Sequence, residues 1–422
     1  MPELLRLGGS PWENGRAMGR LCRKALRDRV RVTRAMQRAK RIPQGELRAR
    51  AAAFKELLRK VDEGWLEEAA GLARGAGVTL EEILILNALP GRFYSGTEEC
   101  TTFVSVGKEE NRLFKIRDER NRTQSFFVRC TKGRMRYQGA NDIGNLGLAH
   151  FLNEHAVGGA NNTGSETDRA PEEPRLNDCH MLRYFAENAS SIEEIPGLFG
   201  KLAGMGAAGG AGRRRGAIFI FADATGGLVL ETAAEAWSAR FIRRGTLVIA
   251  NHFLTAKARR WEAKEPSRNS VLRKERMEEL LRRHRGRPTV REIFAISRDR
   301  RNAPHALCND DLTHYWMTIS AQLHVIDRRE AEDSVNYFCC GNTRNSVYLA
   351  AGLGLEETFA ALASGEFYRA ADRLYQRHGC GRHLSRVQEA FEEGIEDRVG
   401  DRGVYERALR ELGKAGRRRR SS

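Results

Sequence analysis

Long apolar runs are missing from this chain of 422 residues. No stretch approaches the roughly 18 residues that cross a bilayer, so no membrane role is expected. The start, "MPELLRLGGSPWENG", lacks a basic segment followed by an apolar one, so no secretory signal is expected and a cytoplasmic location is. Cysteine is sparse and irregularly spaced, eight in all, which argues against a disulfide framework. Cys339 and Cys340, neighbours in "VNYFCCGN", would point to opposite faces of a strand and read as packing residues rather than a bridge. Internal repeats are absent.

Two motifs lack the context their chemistry needs. "GMGAAG" (Gly204, Gly206, Gly209) matches a dinucleotide fingerprint in letters only, because a helix-like stretch precedes it and a strand follows. "RHGCGRH" offers His378, Cys380 and His383 without a fourth ligand at usual spacing. Neither a metal nor another cofactor is expected.

What the chain has in excess is positive charge, +17. Arginine outnumbers lysine and is spread along the chain rather than interleaved with aromatics, so nucleic acid is not an expected partner. The one dense run, "GKAGRRRRSS", reads as a solvated tail over 414–422. A phosphate-bearing substrate would more naturally meet Arg213, Arg214 and Arg215, in a loop between core elements.

Apolar periodicity predicts helices over 12–40 and 45–76, parted by "RIPQG". A third begins after Thr79, whose capping box is completed by Glu82, and ends at Pro90. Residues 1–95 therefore read as almost wholly helical. At Cys100 the texture changes to strand-like runs: "CTTFVSVG", "RLFKIRD", "QSFFVRCTKG" and "LGLAHFLNEHAVGGANNTG". A helix over roughly 176–203, the strands "GAIFIFADATGGLVLETA" and "GTLVIANHFL", and a basic helical region over about 268–299 follow. "YWMTISAQLHVID" and "SVNYFCCGN" form a late strand group before C-terminal helices to about 413. Blocks of strands flanked by helices point to an α+β fold.

Cys100 opens the first strand, where a cysteine is ordinarily a small buried hydrophobe. Its company suggests more. Asp118 closes the next strand, Asn161 and Asn162 stand at the end of a later one, and Asn251 at the end of another. Amides in such places can donate to an oxyanion, and an aspartate can orient an amine.

In this order the segments resemble the acyl-CoA:6-aminopenicillanate acyltransferase family, among the N-terminal-nucleophile hydrolases. "GSPWENGRAMGR", "GVTLEEILILNAL", "ECTTF", "GLAHFLNEHAVGGANN", "GAIFIFADATGGLVLE", "VIANHF" and "HALCNDDLTHYWMTISAQLHVID" carry the likeness over most of the chain. Two places depart from it: "FKIRDER" keeps only Asp118 of the usual aspartate strand, and Glu99 stands where many relatives have glycine.

The resemblance implies a four-layer α-β-β-α sandwich and an inactive precursor cut between Glu99 and Cys100. It divides the chain into a mainly helical segment 1–99, a catalytic domain 100–413 and the tail. The helical segment would stay bound as a cleaved fragment. It implies an amidohydrolase or N-acyltransferase with a small-molecule amide or acyl-thioester substrate. Cys100 is then the nucleophile, its freed amine (reference pKa about 7.7–8) taking the thiol proton (about 8.5), so no histidine is needed. Asp118 would hold the amine, while Asn251 and Asn161 donate to the oxyanion. The alternative is a non-catalytic homologue that binds an acidic partner through its basic surface.

Overall fold

The chain opens on a strand rather than a helix. In the computed structural model, β1 (Leu4–Gly9) lies parallel to β4 (Gln124–Thr131), in register from Leu4 with Phe126 to Gly9 with Thr131. The expectation of an almost wholly helical start fails here because six residues paired with a segment far along the chain leave no local signal. The structure describes residues 4–89, 93, 99–119, 124–169, 174–211, 214–309, 317–344, 346–353, 388 and 392. The tail, the C-terminal helices, "RHGCGRH" and Arg213 lie outside these residues.

Each of the long helices expected near the start is two. α1 (Pro11–Leu21) and α2 (Arg23–Ala39) part at Cys22; α3 (Gln44–Val61) and α4 (Glu63–Ala76) part at Asp62. Asp62 is an N-cap, accepting from the Gly64 N–H at 2.9 Å, so a new helix starts while the apolar spacing continues. α5 (Leu80–Asn87) carries the expected capping box: Thr79 N–H donates to Glu82 Oε2 at 2.8 Å and Glu82 N–H to Thr79 Oγ1 at 3.2 Å. α1 packs on α4 through glycine. A Cβ on Gly15 would lie 2.1 Å from the Glu68 carbonyl oxygen, and one on Gly71 2.1 Å from that of Trp12. Only glycine permits this backbone contact.

The strands β2 (Glu99–Val106), β3 (Glu110–Glu119), β5 (Tyr137–Asp142), β6 (His150–Asn153) and β7 (Gly158–Glu166) follow. The helix expected over 176–203 is a pair, α6 (Asp178–Asn188) and α7 (Ile195–Gly204). Then come β8 (Arg215–Asp223), β9 (Gly226–Ala233), β10 (Ala236–Ile242) and β11 (Gly245–Ile249). The basic helical region is α8 (Ala256–Arg259), α9 (Arg268–Arg283) and α10 (Val290–Ile296). β12 (Met317–Asp327), β13 (Val335–Cys340) and β14 (Leu349–Gly352) close the described chain.

Among the described residues these strands make two sheets. One has the order β1-β4-β5-β6-β7-β8-β9-β10, the other β11-β2-β3-β12-β13-β14. On the first sheet's outer face, Phe127, Phe151, Phe219 and Phe221 pack under α1–α7 in one core. On the second sheet's outer face, Phe103, Phe114 and Ile116 pack under Met277, Leu280 and Phe294 of α9 and α10. Between the sheets Val104, Val106 and Leu113 meet Ile218, Ile220 and Val229. The molecule is the expected α+β, α-β-β-α sandwich.

Candidate active site

The site forms where β11 stops. Among the described residues β11 pairs with β2 only as far as Ile249 opposite Thr102, so on that edge the backbone of Cys100 lies beyond the ladder. Side chains take the strand's place. The Cys100 N–H donates to Asn251 Oδ1 at 2.9 Å, and the Cys100 carbonyl accepts from Arg273 Nη1 at 2.5 Å. Arg273 also donates to Thr101 Oγ1 at 2.7 Å and to Asn251 Oδ1 at 2.7 Å. Two donors converge on one Asn251 oxygen, which fixes the amide's orientation. Its nitrogen donates to the Thr163 carbonyl at 2.8 Å.

On the other side β2 pairs with β3, Glu99 opposite Asp118 and Cys100 opposite Arg117. Facing residues share a sheet face and neighbours alternate. The Cys100 thiol therefore shares the inner, inter-sheet face with Arg117, and the Asp118 carboxylate leaves on the outer face. Arg117 is buried and grips Asp142 with both ends, at 2.8 and 3.1 Å, with Glu119 at 3.4 Å. Burial opposes its charge, yet Asp142 and Glu119 outweigh it and hold the guanidinium well above its ordinary pKa. Asp118, also buried, accepts from Thr318 Oγ1 at 2.7 Å and from Asn309 Nδ2 at 2.8 Å.

Asn161 and Asn162 lie within β7 rather than at its end, and they part company. Asn162 accepts from Thr102 Oγ1 at 2.8 Å and donates to the Ala250 carbonyl at 2.9 Å, tying β2 to the end of β11. Asn161 donates to Asp178 Oδ2 at 2.7 Å and to Cys179 Sγ at 3.5 Å, and its own oxygen accepts from Lys115 Nζ at 3.0 Å. These side-chain hydrogen bonds run to α6 and β3. His252 stands beside Asn251 but is neutral at physiological pH. Burial first, then Lys274, Arg259 and Arg273, push its pKa down to about 4. Its Nδ1 lies 2.7 Å from Ser270 Oγ, which also accepts the Asn251 N–H at 2.8 Å. Arg215, expected in a loop, is instead the first residue of β8, where it donates to the Gly164 carbonyl at 3.1 Å and lies 3.8 Å from Glu166.

Arg273, Thr318 and Asn309 belong to the arrangement without having been singled out in the sequence. Arg273 left one trace. It sits on the same stripe of α9 as Ser270, Met277, Leu280 and Leu281, all buried. A charged residue inside an apolar helical stripe is the informative exception.

No family model matches the chain, and neither does any curated protein. Among solved structures, a mutant of conjugated bile acid hydrolase from Clostridium perfringens is similar at 12% identity and a TM-score of 0.38, over 61% of this chain and 93% of that one. A second variant of the same hydrolase gives 12% identity and a TM-score of 0.39, over 61% and 94%.

Proposed function

We propose that the chain is the precursor of a cysteine N-terminal-nucleophile enzyme, an amidohydrolase or N-acyltransferase working through a Cys100 thioester. One observation carries this reading. The backbone nitrogen of Cys100 is held by the side chain of Asn251 rather than by a neighbouring strand. Cutting the Glu99–Cys100 bond would turn that nitrogen into an amine already gripped in place.

In the precursor the Cys100 thiol attacks the Glu99 carbonyl, and the acyl group moves from nitrogen to sulfur. Water then cleaves the thioester, leaving a carboxylate on Glu99 and a free amine and thiol on Cys100. In turnover the amine takes the thiol proton and the thiolate attacks the acyl carbonyl of an amide or thioester substrate. The amine returns the proton to the leaving group, and water or an acceptor amine resolves the new thioester. Asp118 faces away from the thiol, opposite Glu99 on the neighbouring strand and so next to the bond that is cut. That position suits a carboxylate that holds an ammonium and not one that acts on sulfur.

Asn251 has two nitrogen-bound hydrogens, of which Thr163 takes one; in this reading the other meets the oxyanion. Asn161 is the second donor of the reading and gives up its 3.5 Å contact with Cys179 to act. Arg273 braces the Cys100 carbonyl and Asn251 together. The small fragment, residues 1–99, stays seated after the cut.

Intact mass of the purified protein beside Cys100→Ala tests the reading. Two pieces are expected from the wild type, the larger beginning Cys-Thr-Thr-Phe, and one whole chain from the variant. A wild-type protein that stays whole, with Cys100 inert to iodoacetamide, would instead favour a non-catalytic protein with a basic binding surface.

A further inference from the structure

The Asp118 carboxylate is held by residues nearly two hundred positions further along the chain. Each of its oxygens has its own neutral donor, Thr318 Oγ1 on Oδ1 at 2.7 Å and Asn309 Nδ2 on Oδ2 at 2.8 Å. The Thr318 hydroxyl is used twice. It also accepts the Asn309 N–H at 2.9 Å, so its single hydrogen is left for Asp118. The polarity is thereby fixed: the hydroxyl donates, and the Asp118 oxygen it meets accepts.

The two donors are locked to each other. Thr318 N–H donates to the Asn309 carbonyl at 2.7 Å. Asn342 Nδ2 then bridges the carbonyls of Asn309 and Thr318, at 2.9 and 3.2 Å.

A second feature of the sheet converges on the same point. β12 pairs regularly with β3 from Asp327 to Ser320, which faces Arg117, but its register slips so that Thr318 faces Asp118. The extra residue, Ile319, offers its carbonyl to Gly341 N–H at 2.8 Å and to Gln124 Nε2 at 3.0 Å. A bulge of this kind re-aims one side chain while the rest of the ladder continues. Here the side chain re-aimed is Thr318. Without the slip, the residue opposite Asp118 would be Ile319.

We propose that Thr318 and Asn309 are positioning residues of the Cys100 site, holding Asp118 as a carboxylate aimed at the Cys100 nitrogen, with Asn342 and the β12 bulge as their seat. The assignment rests on the function proposed above, in which that nitrogen becomes the catalytic base. Weakening the clip lets the carboxylate turn away. The Cys100 ammonium then loses its counter-charge, and the thiolate paired with that ammonium becomes harder to form.

The test compares wild type, Thr318→Ser and Thr318→Val. Serine keeps the hydroxyl, whereas valine keeps the shape without it. Two readouts are followed, the time course of cleavage by intact mass and the pH dependence of iodoacetamide alkylation at the Cys100 peptide. Thr318→Val should move the alkylation limb of the cut protein up by about half to one pH unit, while Thr318→Ser leaves it near wild type; the cleavage time course, which precedes the amine, shows that each variant matures. A purely structural role would lower the melting temperature without moving the limb. Should Thr318→Val fail to fold, Asn309→Ala, which leaves the hydroxyl bond to Asp118 in place, carries the same comparison. A cut, alkylatable wild type beside a valine variant with a superimposable pH profile overturns this assignment alone. A wild type that is neither cut nor alkylated overturns the proposed function with it.

Discussion

Replacing Glu68 by glutamine should cost the fold about 3–5 kcal/mol, the range for removing one partner of a buried ion pair. Glu68 lies on α4 and is buried at 3% exposure. Arg129 of β4 grips it through both guanidinium nitrogens, and Arg183 of α6 donates to its Oε2 at 2.7 Å. Arg183 continues to Glu187 at 2.8 Å, and the Trp65 indole nitrogen donates to Glu187 at 2.8 Å. Burial pushes the Glu68 carboxyl up, but Arg129 and Arg183 pull it further down, from 4.5 to about 2. A drop of that size corresponds to roughly 3 kcal/mol, in line with the mutational range. The sign follows from the depressed folded-state value. The contribution is complete above about pH 4.5 and is lost as pH falls toward about 2. Urea denaturation of Glu68→Gln against its parent, both carrying Cys100→Ala so that each is a single chain, measures the difference at pH 7 and again at pH 3. The gap should be wide at pH 7 and narrower at pH 3. A loss below about 1 kcal/mol at pH 7, or a gap that ignores pH, would refute the claim that this carboxylate clamps the helical layer to the sheet.

Gly15→Ala should destabilise by about 1–3 kcal/mol or more in the same assay, because the new methyl meets the Glu68 carbonyl at 2.1 Å and backbone cannot give way as a side chain can. Gly45→Ala, with nothing within 4 Å, is the matched control and should be nearly silent. Arg273→Ala should slow cleavage about 10²-fold by releasing both the Cys100 carbonyl and Asn251; Arg273→Lys should recover only part, since one ammonium cannot reproduce the fork. Because His252 is held near 4, the pH profile of Cys100 alkylation should show no step from it between pH 5 and 8, and a histidine NMR titration should find its ring neutral throughout that range.

Local chemistry was legible in the sequence, distant pairing much less so. The Thr79–Glu82 capping box declares α5 because every group it needs lies within four residues. The strand starting at Glu99 shows in β-branched composition. β1 was hidden because its reason to be a strand is β4. The break at Asp62 was hidden because apolar periodicity runs through it, although an aspartate two residues before a glycine is a readable N-cap. β10 and β14 went unread as well, one with a mixed burial pattern and the other only four residues long. At the site, Cys100, Asp118 and Asn251 drew attention through residue type and place along strands. Arg273 did not, in a helix where arginine is commonplace and burial sets apart only Arg273 and Arg276. Thr318 owes its place to a register slip, which no single-strand pattern encodes.

The rim position of β1 bears on how often this molecule can fold. Its strand completes the eight-stranded sheet, and the helices after it supply much of the core beneath that sheet. While the chain is whole, finding that place is a search within one molecule, as fast at nanomolar as at micromolar concentration. Once cut after Glu99, an unfolded molecule would be two diffusing solutes, and its recovery would become second order and fade with dilution. Heating and cooling would then return the precursor in full and the mature form only in part. The lifetime of the active state would be set by the rate of its first unfolding rather than by an equilibrium.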